Sequence, residues 1–307
     1  PGGGFFGSTS VWKKDVTTAP VHANSAAMVS GLAQDVTSRY GGIAAFNVWQ
    51  YNTSVYTVSS TQAKVDVKFD DCQGKGYVPK GLTGPGGQFT QVPIPSGAVT
   101  AAGTDAQLTI YSPASDQLWE FWKAKKVNGT WQACWGGRID KASTSYGYFL
   151  NGFGASATGL ATSAGAVSVK DAQAGAIDHA IALAIPSPAN WKNFSWPAQR
   201  SDGSSTAANA IPEGSRLRLD PRVNVDALNL TPVAKMVAKA AQKYGFIVTD
   251  KAGAVSVVAE SGAGLKAATG TDPWTGLLAG TPSYQVMRNF PWNKLQVLPK
   301  DHGKPAG

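Results

Sequence analysis

Residues Gly175–Pro186 read GAIDHAIALAIP, an apolar run of strand length broken by one charged pair, Asp178–His179. The run is short, isoleucine-rich and bounded by Gly and Pro, so it predicts a β-strand. Strand alternation puts Ile177, His179, Ile181 and Leu183 on one face and Asp178, Ala180, Ala182 and Ala184 on the other. The face with the bulkier apolar groups also carries His179. That ring is therefore either a core histidine bonded to a carbonyl or part of the lining of a concave surface.

Downstream, WPAQRSDGSS (Trp196–Ser205) offers an aromatic ring, Trp196, and a turn at Asp202–Gly203. In SRLRLD, alternation places Arg216, Arg218 and Asp220 on one strand face and Leu217 and Leu219 on the other. Two guanidinium forks on one face suit carboxylates or phosphates, or else form a solvated face paired with Asp178, Asp202 or Asp220. TPVAKMVAKAAQKYG predicts a helix, with Thr231 as cap, Pro232 in the first turn, a stripe of Val233, Met236, Val237, Ala240 and Tyr244, and Gly245 as stop. It leads into FIVTDKAGAVSVVAE, which predicts a hairpin carrying Asp250 near its tip.

Upstream, HANSAAMVSGLAQDVTSRYGG predicts a second helix with Met28, Leu32 and Val36 inward, capped by Asn24 or Ser25. AQLTIYS, QLWEFWKAKK and TWQACWGGRID read as a meander separated by turns. The Gly/Pro-rich stretch over residues 74–105 reads as surface or cleft rim. Strands dominate, no repeat of 20–50 residues is present and no βαβ alternation is visible. The expected fold is mainly β, an antiparallel β-sandwich or jelly roll with one or two packed helices. Residues 1–20 read as an extended arm, 21–300 as a single domain and 301–307 as a flexible tail.

The 307 residues are 43% hydrophobic and only 15% charged, with 35 Gly and 10 Trp, a profile of a loop-rich extracellular β protein. A net charge of +8 favours anionic partners, such as acidic polysaccharides or cell-surface polymers. The cations are scattered and no nucleic-acid motif occurs, so nucleic acid is not expected as a partner. No run of about 18 apolar residues predicts a transmembrane span. The chain opens at Pro1 with no leader, so either a signal peptide has been removed, the reading composition favours, or the chain is a fragment. Cys72 and Cys134, an even pair, predict one disulfide closing a loop of about 60 residues, worth roughly 4 kcal/mol in the chain-entropy model. No metal or cofactor motif is present, and GxSxG and phosphate-loop patterns are missing.

LWEFWKAKKVNGTWQACWGGRID, AGAIDHAIALAIP, WPAQRSDGSS, PEGSRLRLDP and AKAAQKYGFIVTD, in this order over roughly residues 105–260, resemble a family of secreted actinobacterial proteins. The resemblance implies a secreted soluble protein and carries no activity. The residue types also resemble those of β-jelly-roll polysaccharide lyases, which set a His, a Tyr and an Arg on a concave sheet, although none of their signature motifs occurs.

Two functional expectations follow. One is a carbohydrate-active enzyme, a lyase or glycoside hydrolase. In it His179 serves as general acid/base, Arg216 and Arg218 hold an acidic sugar, Asp178, Asp202, Asp220 or Asp250 orients the histidine or forms a carboxylate pair, and Trp196, Asp202, Tyr244 and Asp250 bind substrate. The other is a non-catalytic glycan-binding or structural surface protein, a subunit of a self-assembling filament or phage-tail-like structure. The discriminating feature is whether His179, Arg216 and Arg218 share an open groove.

Overall fold

The computed structural model describes residues 2–307. Its strands are β1 (Ala45–Asn47), β2 (Thr53–Thr57), β3 (Lys68–Phe69), β4 (Gln107–Ser112), β5 (Gln117–Trp122), β6 (Lys125–Val127), β7 (Thr130–Ala133), β8 (Trp135–Asp140), β9 (Ile181–Ile185), β10 (Arg216–Leu219), β11 (Phe246–Lys251), β12 (Ser256–Val258) and β13 (Leu295–Val297). They build a six-stranded sheet in the order β1-β12-β9-β11-β10-β13, a four-stranded sheet β2-β4-β5-β8 and a small sheet β3-β7-β6. The helices that frame the core are α1 (Ser25–Thr37), α2 (Thr162–Gly165), α3 (Val169–Ala174) and α4 (Pro232–Lys243).

The chain is sheet-rich with few long helices, as expected, but its sheets are mixed rather than antiparallel. Parallel pairs join β1 to β12, β9 to β11, β2 to β4 and β3 to β7. β9 explains the difference from the expected jelly roll. All five of its residues are buried, and a strand covered on both faces carries an unbroken apolar run rather than polar alternation. It therefore takes an interior place in the sheet. β11 lies on one side of it and β12 on the other, so the expected Phe246–Glu260 hairpin straddles β9 instead of pairing with itself.

One face of the six-stranded sheet presents Ile181, Leu183, Leu217, Phe246, Val248 and Val257 to α1 and α4. α4 begins as its sequence predicts: Thr231 Oγ1 accepts the Ala234 N–H at 3.2 Å, and Val233, Met236 and Val237 are buried. α1 buries Met28, Leu32 and Val36. The opposite face is built from small or slender side chains, Ala180, Ala182, Ile247 and Val258, and meets the second core around the four-stranded sheet. α2 is wedged between the sheets, and Gly165 is required there. A Cβ would stand 2.7 Å from the Ala182 nitrogen and 2.3 Å from Trp12 Cζ3.

The N-terminal residues are part of the core rather than an arm. Phe5, Phe6, Val11, Trp12 and Val16 are buried, and Trp12 Nε1 donates to the Gly147 carbonyl at 2.9 Å. Arg218 Nη1 donates to the carbonyls of Val16, Thr17 and Ala19, fastening the segment over the sheet. Pro1 lies outside the described residues. The expected tail is tied at its first residue, where Asp301 accepts the Trp196 N–H at 2.6 Å. The Gly/Pro-rich stretch buries Leu82, Phe89 and Val92 over the far side of the four-stranded sheet, where Phe89 meets Phe121 edge-on at 5.2 Å. Cys72 and Cys134 form the predicted disulfide, with Cα atoms 5.6 Å apart. Among the described residues no helix is long and apolar enough to cross a membrane.

Candidate active site

Where the two larger sheets part, they leave an open cleft of about 1070 Å³. Its floor comes from the small-residue face of the six-stranded sheet: Ala45 on β1, Ala184 on β9 and Ser256 on β12. Those three lie side by side through the pairings Ala45–Ser256 and Ser256–Ala184. The facing wall is Gln107, Trp122 and Trp135 of the four-stranded sheet, the two tryptophans being direct cross-strand neighbours. Trp49, Tyr51, Tyr40 and Tyr284 stand exposed on the rim.

The wall tryptophans are held by their indole nitrogens. Trp122 Nε1 donates to Asp105 Oδ1 at 3.0 Å, and Trp135 Nε1 donates to the Gly152 carbonyl at 2.9 Å. Trp135 also stacks on Phe153 at 5.5 Å. Rigid aromatic faces in an open cleft are platforms for flat or ring-shaped ligands.

Three carboxylates reach the cleft: Asp105, Asp202 and Asp250. A break in strand register aims Asp250. β11 pairs Val248 with Leu183 and then Asp250 with Ala184, leaving Thr249 as an extra residue, a β-bulge. Without it, alternation would turn Asp250 to the face of Val248, into the helix-covered core. With it, Asp250 shares the face of Ala184 and opens to the cleft. Asp250 Oδ1 accepts the Ala157 N–H at 2.7 Å. Burial pushes its carboxyl up to about 7 against that bond, with the charges of Asp202 and Asp105 adding to the rise.

Asp202 is exposed on the Ser201–Gly203 turn. Behind it lies Glu213, fully buried, whose Oε1 accepts the Ser201 hydroxyl at 2.7 Å and the Asp202 N–H at 3.0 Å. Burial, and then the Asp202 carboxylate beside it, push Glu213 up to about 9. Glu120, on β5 beneath the cleft, is likewise pushed by burial to about 7. Arg200 spends its guanidinium on the carbonyls of Phe153, Gly154 and Ser156, which braces the loop that supplies the Ala157 N–H.

Of the residues singled out by sequence, only Asp202 and Asp250 line the cleft. His179 is entirely buried. Its Nε2 lies 2.9 Å from Asp171 Oδ2 on α3 and its Nδ1 lies 2.7 Å from the Ala180 carbonyl. The expected shared face with the arginines is not formed: Arg216 pairs with Ile247 and Ile247 with Ala182, so the arginines lie on the alanine face, opposite the Ile181 face that His179 precedes, and β11 stands between β9 and β10. Arg216 and Arg218 are buried and bonded to backbone carbonyls, including Tyr244 O and Val16 O. Asp178 pairs with Lys13 at 3.0 Å and Asp220 with Arg222 at 2.7 Å. Trp196 packs edge-on with Tyr146 and Tyr148, and Tyr244 lies at the end of α4; neither borders the cleft.

Asp171, Asp178 and His179 each offer a ligand atom within 4.8 Å of the others. Lys13, Ser168 and the Ala180 carbonyl already occupy these groups, so the trio reads as a structural ion-pair network. Asp105, Arg200, Glu120 and Glu213 were missed by sequence reasoning. Glu120 carried a usable signal, a lone acid inside the apolar strand QLWEFW. A scan against protein-family models and searches of curated proteins and solved structures find no match to this chain.

Proposed function

We propose that the protein is an extracellular glycan-degrading enzyme that hydrolyses a polysaccharide lying along the cleft. The observation that carries this reading is the pair Asp202 and Asp250 in an aromatic-lined cleft, one exposed and one set into the sheet, its carboxyl pushed up to about 7 by burial. Glycoside hydrolysis needs two carboxyl groups in opposite protonation states. Asp250 supplies the proton that leaves with the departing sugar oxygen. Asp202, as carboxylate, supports the positive charge that develops at the anomeric carbon and takes a proton from the attacking water, so the proton balance closes. The indole faces of Trp122 and Trp135 suit stacked pyranose rings. Hydrolysis is favoured over lyase elimination because the cleft brings the acids Asp202 and Asp250 together while none of the three histidines lines it. The disulfide suits an oxidising, extracellular setting.

The test is release of reducing ends from neutral, uronate-containing and sulfated polysaccharides by the wild type, Asp202→Asn and Asp250→Asn. Each variant is expected to lose roughly 10²–10⁴-fold in kcat, and the wild-type rate is expected to fall as pH rises through about 7, where Asp250 gives up its proton. Undiminished cleavage by both variants would sink the catalytic assignment. Binding without cleavage by the wild type would leave a glycan-binding protein.

A further inference from the structure

Glu213 is an acid the chemistry above does not use, and its setting is unusual. Its side chain is 0% exposed. Oε1 is the common acceptor for the Ser201 hydroxyl and the Asp202 N–H, and Oε2 has no hydrogen-bond partner. Ser201 Oγ in turn accepts the Gly203 N–H at 3.0 Å, so the Ser201–Gly203 turn is wound around this one carboxyl group. The scaffold on either side leaves no slack. A Cβ on Gly203 would fall 1.8 Å from the Ala189 carbonyl oxygen, and one on Gly214 1.8 Å from that of Ser195.

No cation is bonded to the group; Lys251 of β11 donates its Nζ instead to Ser204 Oγ, just beyond the turn, at 2.8 Å. The carboxylates of Asp202, on the turn, and Asp250, on β11, face it, and both repel a negative charge there. The neighbouring Arg200 makes no hydrogen bond to it: its Nη1 and Nη2 donate to three backbone carbonyls, and its charge faces Asp250 and Asp202. The Ser195–Ala198 segment packed behind brings no ionisable side chain. A buried carboxylate with two like charges and no counter-ion is costly, whereas the neutral acid keeps the two bonds it accepts and turns its own O–H toward the Asp202 carboxylate beside it.

We propose that Glu213 is a positioning residue that works as a neutral acid: un-ionised, it fixes the Ser201–Gly203 turn and presents the Asp202 carboxylate to the cleft, and loss of its proton to solvent releases that turn. This deepens the glycan-hydrolase reading at the same site, but its test does not depend on a substrate.

Amide hydrogen exchange at Asp202 and Gly203 is followed from pH 6 to 10 as protection relative to the intrinsic rate. Protection in the wild type is expected to fall at least tenfold across the alkaline half of that range. Glu213→Gln keeps the carbonyl acceptor and cannot ionise, so its protection should be flat. Glu213→Ala should be poorly protected at every pH and should cleave any susceptible polysaccharide more slowly, with Gln restoring much of the loss. Wild-type protection that stays flat, or a Gln variant that falls in parallel with it, overturns the proposal. If Glu213→Ala does not fold, the comparison of wild type with Gln still decides. If the exchange behaves as expected and no polysaccharide is cleaved, the hydrolase reading fails while the positioning role stands.

Discussion

Replacing Glu120 by Gln isolates the cost of burying an acid without a cation. Glu120 is 2% exposed on β5. Its Oε1 accepts the N–H of Ser163 at 3.0 Å and the hydroxyl at 2.5 Å, while Oε2 has no partner. Burial lifts the group from its ordinary 4.5 to about 7, against the bonds from Ser163 and with help from the charge of Asp250. Between those two pH values the folded protein keeps a proton that the unfolded chain has released. Stability from this group is therefore fully present below about 4.5, falls as pH rises through the window, and is lost above about 7. At about 1.4 kcal/mol per pH unit, the loss amounts to roughly 3 kcal/mol. Glutamine retains an acceptor for Ser163, and its buried N–H groups impose a penalty that does not change with pH. The readout is therefore a slope. Urea unfolding at intervals from pH 4.5 to 8 should show the stability difference moving in favour of the Gln variant by roughly 3 kcal/mol. Parallel pH dependences for the two proteins would refute the reasoning.

Two further substitutions test the frame around the cleft. Met236→Ala, on the buried face of α4, should cost roughly 2–5 kcal/mol in chemical denaturation; a change below about 0.5 kcal/mol would mean that the face is not packed on the sheet. His179→Ala strips the partner from a carboxylate, Asp171, that is only 5% exposed. It should cost about 3–5 kcal/mol and lower the thermal midpoint by several degrees, with glycan binding below that midpoint unchanged. A variant as stable as the wild type would contradict the structural role assigned to the ring.

What could be read from sequence was local. The helix at Pro232–Lys243 announces itself through its cap, its first-turn proline and a stripe at helical spacing, all of which act within a few residues. The disulfide needed only an even cysteine count. What could not be read was which face of β9 meets solvent. Sequence drew attention to the Ile/Leu face because it carried His179, yet bulky side chains fill space and the cleft opens over the alanines, where space is left. The partner order around β9 was equally hidden, since a strand inserted between β11 and β12 leaves no mark on the segment linking them. Asp202 and Asp250 were named singly, from a turn and a strand end. Their meeting depends on the bulge at Thr249, and a one-residue register break has no compositional signal. Glu213, in IPEGS, looked like an ordinary loop acid because its burial comes from Ser195–Ala198 and the Ser201–Gly203 turn folding over it.

The crosslink between Cys72 and Cys134 has a consequence for when the cleft exists. Each half-cystine directly precedes a residue that lines the cleft, Gln73 on one side and Trp135 on the other. The bond thus ties the exposed Cys72 at the rim to the buried Cys134 between β7 and β8, and the span of 62 residues that it closes includes Asp105 and Trp122. A chain still carrying thiols would hold its two cores while its rim stayed unlatched: folded, but with an unfinished mouth. Oxidation would then be the step that completes the cleft.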